Sequence, residues 1–380
     1  MEQELRISQR AKQYPASGIR KMFDLAAQYP EAIKLTVGEP NFDTPQYIKD
    51  AAKRALDEGQ THYAPNAGTT ELREAVAAKY RKQYWEGYTK DHVIITVGAM
   101  EGLFLAMMTL LDPGDEILVP DPCFPNYYGQ ASSIGARAVP VPTYEEYDYR
   151  IQAADIEKAV TPRTRAILLN SPCNPTGAVL TKEDILAIAK VAKTHDLWVL
   201  TDEPYDAIVY DGIQPYSMAQ VPEMQDRVMV LNSFSKSYAM TGWRLGYVLA
   251  NKTFTDAMNK IHQYIIMSAP TAAQYGAIDA MRNGDIHVAE MRESYMTRRN
   301  FITKGFNRIG LPTHLPHGAF YIFPDIRGTG LTSDEFCVQL LEDQRVACVP
   351  GTAFGDAGEG FIRVSYAYSI DHIREAIERI

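Results

Sequence analysis

The sequence predicts an α/β protein with a large domain and a smaller α+β domain. From about residue 90 to residue 250, short apolar runs alternate with helical patterns. This alternation is typical of a mostly parallel sheet with helices on both sides. Beyond Thr255 the pattern changes to a long helical stretch, followed by strands and helices at wider spacing. The change predicts a separate, smaller α+β domain, which the N-terminal segment is expected to join.

The individual elements follow from periodicity and from helix caps. Apolar or β-branched runs predict strands at 92–97, 116–119, 165–169, 197–201, 228–231, 317–323 and 361–366. Helical spacing of apolar residues predicts helices at 19–28, 46–58, 70–84, 101–111, 182–193, 285–309 and 333–344. Thr70 and Thr181 are the expected caps of two of these helices. Residues 35–45 are expected to form an extended strip closed by turn formers.

Composition indicates an ordinary globular protein of 380 residues, 46% hydrophobic and 22% charged. The formal net charge of −9 argues against a nucleic acid as the main partner. The polar N-terminus, 1–15, has no apolar core of signal-peptide length, and no stretch approaches the roughly 18 apolar residues of a membrane span. Four cysteines without paired spacing favour the reducing cytoplasm and give no metal motif.

Several chemically versatile residues lie just past the predicted strand ends. In open parallel sheets, ligands bind outside the carboxyl ends of the strands. Each residue alone also has an ordinary structural explanation, but their shared position predicts one site. The residues are Gly98, Phe124, Asn174, Asp202, Tyr205, Ser233 and Lys236.

The stretch around Lys236 points to a reactive amine. Lys236 follows a buried apolar run and lies among Ser233, Ser235 and Arg244. A nearby cation and partial desolvation lower the pKa of a lysine and leave neutral amine to attack a carbonyl. An ordinary surface lysine in a turn is the alternative, and this stretch alone does not decide between them.

The turn Gly98-Ala-Met100 connects a predicted strand to a predicted helix. Free N–H groups and the helix dipole favour an anion at such a helix N-terminus. The glycine pattern is neither a Walker A loop nor a dinucleotide fingerprint. The turn therefore favours the phosphate of a cofactor other than ATP or NAD.

Three further residues keep two interpretations each. Gly38 either lets the backbone approach a ligand or is a plain turn glycine. Tyr63 is either an ordinary loop aromatic or a side chain that reaches across a subunit interface. Arg363 faces either solvent or a carboxylate, to which a guanidinium can donate two hydrogen bonds.

Several motifs occur in a fixed order along the chain. They are Val37-Gly-Glu-Pro40, Tyr63-Ala-Pro-Asn-Ala-Gly68, Asn174-Pro-Thr-Gly177, Asp202-Glu-Pro-Tyr205, Ser233-Phe-Ser-Lys236, Gly242-Trp-Arg244 and the late Arg363. With them the chain, from near residue 14 to its C-terminus, resembles the class I/II aminotransferases of the pyridoxal-phosphate fold type I superfamily, in the aspartate and aromatic aminotransferase subgroup. The resemblance implies a large domain at 46–283 with a seven-stranded type of sheet, an N-terminal segment at 1–45 that contributes to the small domain, and a small C-terminal domain at 284–380.

The resemblance also implies roles for residues of this chain. Lys236 would hold pyridoxal 5'-phosphate as a Schiff base and then move the substrate proton, and Asp202 would pair with the pyridine nitrogen. Arg363 would bind the substrate α-carboxylate, helped by Gly38 and Asn174. Tyr205, which is also counted as catalytic, and Asn174 would contact the ring hydroxyl of the cofactor, and Phe124 would lie on the ring face. The phosphate would be bound by Gly98, Ala99, Met100, Ser233, Ser235 and Arg244, with Tyr63 reaching in from a second subunit.

The implied activity is ping-pong transfer of an amino group from an L-amino acid to a 2-oxo acid by a homodimer. Relatives specific for aspartate usually carry a lysine where this chain has Met100, which favours an aromatic or broad-specificity enzyme with an acidic co-substrate. An aspartate aminotransferase with another cationic group and a carbon–sulfur β-lyase are the alternatives. A cofactor-binding regulator without turnover is a third, and the full set of catalytic positions argues against it.

Overall fold

The computed structural model describes residues 7–12, 14 and 18–380. Most of the polar N-terminal stretch 1–15, and the beginning of the predicted segment 1–45, lie outside these residues. The strands are β1 (Ile33–Lys34), β2 (Val93–Thr96), β3 (Glu116–Asp121), β4 (Arg137–Pro142), β5 (Thr164–Asn170), β6 (Trp198–Asp202), β7 (Val228–Ser233), β8 (Gly246–Leu249), β9 (Tyr321–Ile322), β10 (Val346–Ala347), β11 (Val349–Pro350) and β12 (Ile362–Ser365).

The α-helices pack around the strands. They are α1 (Gln9–Lys12), α2 (Gly18–Ala26), α3 (Gln46–Asp57), α4 (Thr70–Gln83), α5 (Gly98–Leu110), α6 (Asn126–Ser133), α7 (Ala153–Ala159), α8 (Lys182–Thr194), α9 (Phe234–Ser237), α10 (Lys252–Ile265), α11 (Thr271–Asn283), α12 (Asp285–Arg308), α13 (Ser333–Gln344) and α14 (Ile370–Arg379). Among the described residues, none of them combines the length and the hydropathy needed to cross a bilayer.

A seven-stranded sheet organises the larger part of the molecule. Its strand order is β2-β8-β7-β6-β5-β3-β4. All neighbours are parallel except β8, which runs antiparallel to β2 and β7. Along β5, Ile167 and Leu169 pack into one apolar core and Ala166 and Leu168 into another. Helices therefore cover both faces of the sheet, which confirms the predicted fold class.

The register of this sheet aligns the strand ends that matter for the site. Asn170, the last residue of β5, lies opposite Asp202 at the end of β6, and Asp202 lies opposite Leu231 of β7. Because parallel strands end at the same edge of a sheet, the loops that follow β5, β6 and β7 start side by side.

The smaller part of the molecule is built from the C-terminal elements and the N-terminal segment. Strands β11, β12 and β9 form an antiparallel sheet in that order, and β1 pairs in parallel with β10. A separate apolar core, including Phe306 and Phe320, lies among these elements. The predicted domain limits, 1–45, 46–283 and 284–380, stay a prediction.

Most predicted elements are confirmed within a few residues, and the exceptions have local causes. The cap predicted at Thr70 is wrong, because α4 already includes Thr70 and Thr69 occupies the cap position without a side-chain hydrogen bond. Thr181 caps α8 as predicted, and its Oγ1 accepts a hydrogen bond from the Asp184 N–H. The strand predicted at 317–323 is only Tyr321–Ile322, because Ala319 has a left-handed φ of 58°.

Some elements had no counterpart in the sequence predictions. Strand β4 is largely exposed and contains Pro140 and Pro142, so it lacks an apolar run. Strand β8 is short and begins at Gly246. By contrast, the strip predicted as extended at 35–45 contains no strand residue, and its carbonyl groups at Thr36 and Gly38 accept hydrogen bonds from Arg363 and Lys236.

Candidate active site

A cavity of about 280 Å³ lies at the carboxyl edge of the main sheet, where α2 and the smaller domain cover it. Every residue that the sequence placed in a site lines this cavity, with the exception of Tyr63. The lining includes Gly38, Gly98, Ala99, Met100, Phe124, Asn174, Asp202, Tyr205, Ser233, Ser235, Lys236, Arg244 and Arg363. The cavity thus brings together residues that are more than 300 positions apart in the chain, such as Gly38 and Arg363.

Lys236 lies on the short helix α9, which follows β7 directly. Ser233 caps this helix, since its Oγ accepts a hydrogen bond from the Ser235 N–H at 2.9 Å. The Lys236 Nζ donates a hydrogen bond to the Gly38 carbonyl oxygen. Burial lowers the pKa of Lys236 to about 8, and the nearby cations Arg363 and Arg244 act in the same direction. A substantial fraction of neutral amine is therefore present close to neutral pH.

Asp202 ends β6 with a buried carboxyl group. Its Oδ2 accepts a hydrogen bond from the Tyr127 hydroxyl at 2.7 Å, whereas its Oδ1 is buried and accepts no hydrogen bond from any residue that the structure describes. Burial raises the pKa of Asp202 to about 6, although Tyr127 and Lys236 oppose the shift. A buried acceptor without a donor is costly, so Oδ1 suits a donor that the chain itself does not supply.

Glu203 serves a different part of the molecule from Asp202. Its carboxylate accepts hydrogen bonds from Thr201, Ser217 and Tyr84, and it does not line the cavity. The two neighbouring carboxyl groups point away from each other, as alternation along an extended chain requires.

Arg363 lies on β12 and is 2% exposed, so the solvent-facing interpretation is wrong. Its Nη1 donates to Asn174 Oδ1 at 3.1 Å and its Nη2 to the Thr36 carbonyl at 2.6 Å. Its Nε is buried without a partner, and its guanidinium packs 4.6 Å from the ring centroid of Tyr321. Within the described part of the chain, Arg363 forms no ion pair with an Asp or Glu. An anion is therefore the natural partner of this buried cation.

The loop after β5 holds Asn174 in place. The Asn174 N–H donates to Asn170 Oδ1 at 2.9 Å, and Asn170 Nδ2 donates to the Asp202 carbonyl at 2.9 Å. The hydroxyl groups of Tyr205 and Tyr321 share a hydrogen bond of 2.8 Å. The Asn170 bonds thus link the ends of β5 and β6, and the tyrosine pair connects the segment after β6 to the smaller domain.

Gly38 and Gly98 let the backbone approach the site closely. A Cβ at Gly38 would lie 2.4 Å from Tyr321 Oη, so a plain turn does not explain this glycine. Gly98 begins α5 with φ of 76°, and a Cβ there would lie 2.7 Å from Arg244 Nη2. The N-terminus of α5 and the Arg244 guanidinium thus face the same small region, which is suited to an anion.

Met100 and Tyr63 complete the set of predicted residues. The Met100 carbonyl accepts a hydrogen bond from Gln130 at 2.9 Å. Met100 also lines the cavity, and its thioether adds no charge there. Tyr63 is 83% exposed in the loop between α3 and α4, outside the cavity. The reach of Tyr63 into a second subunit stays a prediction.

Sequence reasoning missed Tyr127, Tyr321 and Thr36. Tyr127 lies three residues after Phe124 in the same proline-rich motif, and this spacing was the available signal. Tyr321 lies in the aromatic run before Phe323, and Thr36 contributes only its carbonyl group. No local pattern identifies a backbone carbonyl that binds an arginine more than 300 residues away.

Comparisons with known proteins identify the family of the chain. The family model for aminotransferase class I and II matches residues 30–380. The chain is 45% identical over 377 residues to aromatic-amino-acid aminotransferase 2 of Thermococcus litoralis, covering 98% of this chain and 97% of the relative. It is 46% identical over 367 residues to an aspartate aminotransferase of Pyrococcus abyssi, covering 96% and 94%. Aspartate aminotransferase from Thermus thermophilus with maleate superposes with a TM-score of 0.94 at 37% identity, covering 99% and 98%.

The polar groups of the cavity fit the cofactor of that family. Asp202 Oδ1 is an open acceptor for a protonated ring nitrogen, and the Lys236 amine suits an aldehyde. The turn at Gly98, with Arg244 beside it, suits a phosphate group. The chain belongs to the class I and II aminotransferases and is a pyridoxal phosphate-dependent transaminase.

Proposed function

We propose that this aminotransferase prefers aromatic donors, accepts other apolar amino acids more slowly, and uses an acidic 2-oxo acid such as 2-oxoglutarate as acceptor. The observation that supports the preference is the charge of the cavity wall. Among the described lining residues, the cations are Lys236, Arg244 and Arg363, and the proposal below gives each of them another task. None is left over for a side-chain carboxylate.

Apolar residues form another part of the cavity wall. They include Ile19 and Phe23 of α2, Met100 and Phe124. Burying an aromatic side chain against such a wall gains roughly 25 cal/mol for each Å² of apolar surface removed from water. A charged side chain would lose hydration there without gaining a partner.

In the proposed mechanism the α-carboxylate binds Arg363, whose Nε is free to donate and whose side chain is fixed by Asn174 and Thr36. The carboxylate position then places the α-carbon near Lys236. Because burial holds the pKa of Lys236 near 8, its free Nζ accepts the substrate α-proton readily. Removing the proton is thus assigned to Nζ, and orientation to the guanidinium.

When bound, pyridoxal phosphate supplies an electron-accepting ring and an electrophilic carbonyl. We assign the ring nitrogen to Asp202 Oδ1, the ring hydroxyl to Tyr205 and Asn174, and one ring face to Phe124. The phosphate is assigned to Gly98, Ala99, Met100, Ser233, Ser235 and Arg244, with Tyr63 reaching in from a second subunit.

We also propose a homodimer that works in the cytoplasm. An exposed apolar patch at the end of α10 supports association, since Tyr264 is 90% exposed and Ile265, Ile266 and Met267 follow it. The four cysteines are all free and buried, which suits a reducing compartment. Light scattering at several protein concentrations measures the subunit number, and a monomer at all of them would contradict the dimer.

Aspartate aminotransferase is the second candidate. A relative of 46% identity is named for aspartate, and the Thermus thermophilus structure contains a dicarboxylate, maleate. In that case the side-chain carboxylate would need a cation from outside the described lining residues.

A single-turnover experiment separates the candidates. The purified enzyme with pyridoxal phosphate is mixed in turn with phenylalanine, tyrosine, aspartate and cystathionine, and the absorbance of the cofactor is followed. Fast conversion to the pyridoxamine form with the aromatic donors and slow conversion with aspartate is the expected result. Fast conversion by aspartate alone would favour the second candidate, and pyruvate released from cystathionine would indicate a β-lyase.

A further inference from the structure

Tyr127 is a buried residue of α6 whose hydroxyl group is directed at Asp202. It is fully buried, and its Oη donates to Asp202 Oδ2 at 2.7 Å. A hydrogen bond from a neutral donor to a carboxylate is stronger than one between two neutral groups. The contact joins the first turn of α6 to the end of β6.

This bond decides which carboxylate oxygen remains open. Oδ2 is occupied by Tyr127, whereas Oδ1 has no partner and lies in the same buried environment. The backbone of Asp202 is held separately, since Asn170 Nδ2 donates to its carbonyl at 2.9 Å. Tyr127 is therefore the group that fixes the rotation of the Asp202 side chain.

The same hydrogen bond also favours the charged form of Asp202. Burial is the main reason why the pKa of this carboxyl group is raised to about 6, and the hydrogen bond from the Tyr127 hydroxyl is the largest influence that opposes the rise. A donor to the ionised carboxylate stabilises charge where water is excluded. Losing the donor would leave the carboxyl group more easily protonated.

Tyr127 also contacts Phe124, the residue assigned to the ring face. The two rings meet edge to face, with centroids 5.8 Å apart and planes at 85°. The Tyr127 N–H donates to the Phe124 carbonyl at 3.2 Å. Tyr127 thus contacts both Asp202, which is assigned to the ring nitrogen of the cofactor, and Phe124, which is assigned to the face of the cofactor ring.

We infer that Tyr127 is a positioning residue that presents Asp202 Oδ1 to the ring nitrogen of pyridoxal phosphate and keeps the carboxylate ionised. The inference rests on the proposed role of Asp202. It predicts that the hydroxyl group of Tyr127, more than its ring, controls protonation of the ring nitrogen.

The test compares Tyr127→Phe with Tyr128→Phe. Both changes remove one hydroxyl group from neighbouring residues of α6, but the Tyr128 hydroxyl interacts with Cys123 instead of Asp202. Pyridoxal phosphate labelled with ¹⁵N in the ring is bound to each variant, and the ring-nitrogen chemical shift is followed against pH. The dissociation constant of pyridoxal phosphate is measured from absorbance.

In Tyr127→Phe, we expect the ring nitrogen to lose its proton at lower pH than in the native enzyme. Cofactor binding should weaken roughly tenfold, the usual scale for one lost hydrogen bond to a charged group. Tyr128→Phe should match the native enzyme in both measurements. Near-ultraviolet circular dichroism of each variant verifies that the fold is retained.

An Asp202→Asn variant separates failure of this inference from failure of the assigned role of Asp202. If Asp202→Asn leaves the ring-nitrogen titration unchanged, the role of Asp202 is wrong and the inference falls with it. If Asp202→Asn changes the titration but Tyr127→Phe does not, only the inference is overturned. Equal changes in Tyr127→Phe and Tyr128→Phe would also overturn it.

Discussion

Replacing Arg363 with lysine tests how the substrate α-carboxylate is bound. Lysine keeps the positive charge but lacks the planar fork of the guanidinium, so it cannot reproduce a set of hydrogen bonds with fixed directions. In the native protein that fork is held by Asn174 Oδ1 and the Thr36 carbonyl, with Nε still free. The variant would lose the free donor or one of the two anchoring bonds.

The structure sets the size of the expected loss. One hydrogen bond to a charged group contributes about 1.5–3 kcal/mol. Because each 1.36 kcal/mol is a factor of ten, losing one such bond to the substrate lowers kcat/KM roughly 10- to 150-fold. The α-carboxylate is common to all amino acids, so the factor should be similar for phenylalanine, tyrosine and aspartate.

The assay is steady-state kcat/KM for each donor at saturating 2-oxoglutarate. Arg299→Lys is the matched control, because Arg299 is another buried arginine that instead binds both carboxylate oxygens of Asp211. We expect this control to lower the melting temperature and to leave kcat/KM within a few-fold of the native value. A loss in Arg363→Lys confined to one donor, or an equal loss in Arg299→Lys, would refute the reasoning.

Three further predictions concern the cavity wall. In the cofactor-free protein, Lys236→Met should be more stable than the native chain by about 3 kcal/mol below pH 8, because burial lowers the pKa of Lys236 from 10.5 to about 8. Between pH 8 and pH 10.5 the unfolded chain binds one more proton than the folded chain, so the stability of the native chain rises with pH and the difference between the two proteins vanishes above pH 10.5. Urea unfolding at several pH values measures this difference in stability, and a difference that does not change with pH would contradict the burial argument. Met100→Lys should raise the ratio of kcat/KM for aspartate over phenylalanine roughly tenfold, since it adds a cation to the cavity edge; an unchanged ratio would mean that charge at this edge does not select the donor. Gly38→Ala should lower the free energy of unfolding by about 1–3 kcal/mol through overpacking, because the alanine Cβ would lie 2.4 Å from Tyr321 Oη. If the variant keeps the stability and the activity of the native enzyme, Tyr321 can move and the overpacking argument is wrong.

Ligands of open parallel sheets bind outside the carboxyl ends of the strands, which explains why much of the candidate site could be predicted from sequence. Asn174, Asp202 and Lys236 each follow a strand whose apolar run is visible in the sequence. Parallel pairing then brings the strand ends to one edge, as the register of Asn170 opposite Asp202 shows. Local pattern and sheet geometry together were sufficient for this part of the site.

The parts that sequence did not predict depend on contacts between distant segments. The hydrogen bond between Tyr205 and Tyr321 joins the larger and smaller parts of the molecule, and that between Arg363 and the Thr36 carbonyl joins the two ends of the chain within the smaller part. Alternation around Arg363 showed that it faces away from Ile362 and Val364, but not that this face is buried. Burial of a polar face is set by tertiary packing, which periodicity does not encode.

The cavity concentrates groups that the chain alone does not satisfy. Asp202 Oδ1 and Arg363 Nε are both buried without partners, and Lys236 is held with a lowered pKa. A buried charge with incomplete hydrogen bonding destabilises a folded protein, and apolar residues of similar size are often more stable in such places. Ligands that bind only the folded chain repay that cost by mass action. In the proposed binding mode, pyridoxal phosphate and a substrate carboxylate offer the donor and the acceptors that these two atoms lack, so the cost of the unsatisfied groups and the affinity of the enzyme for its ligands would have the same origin.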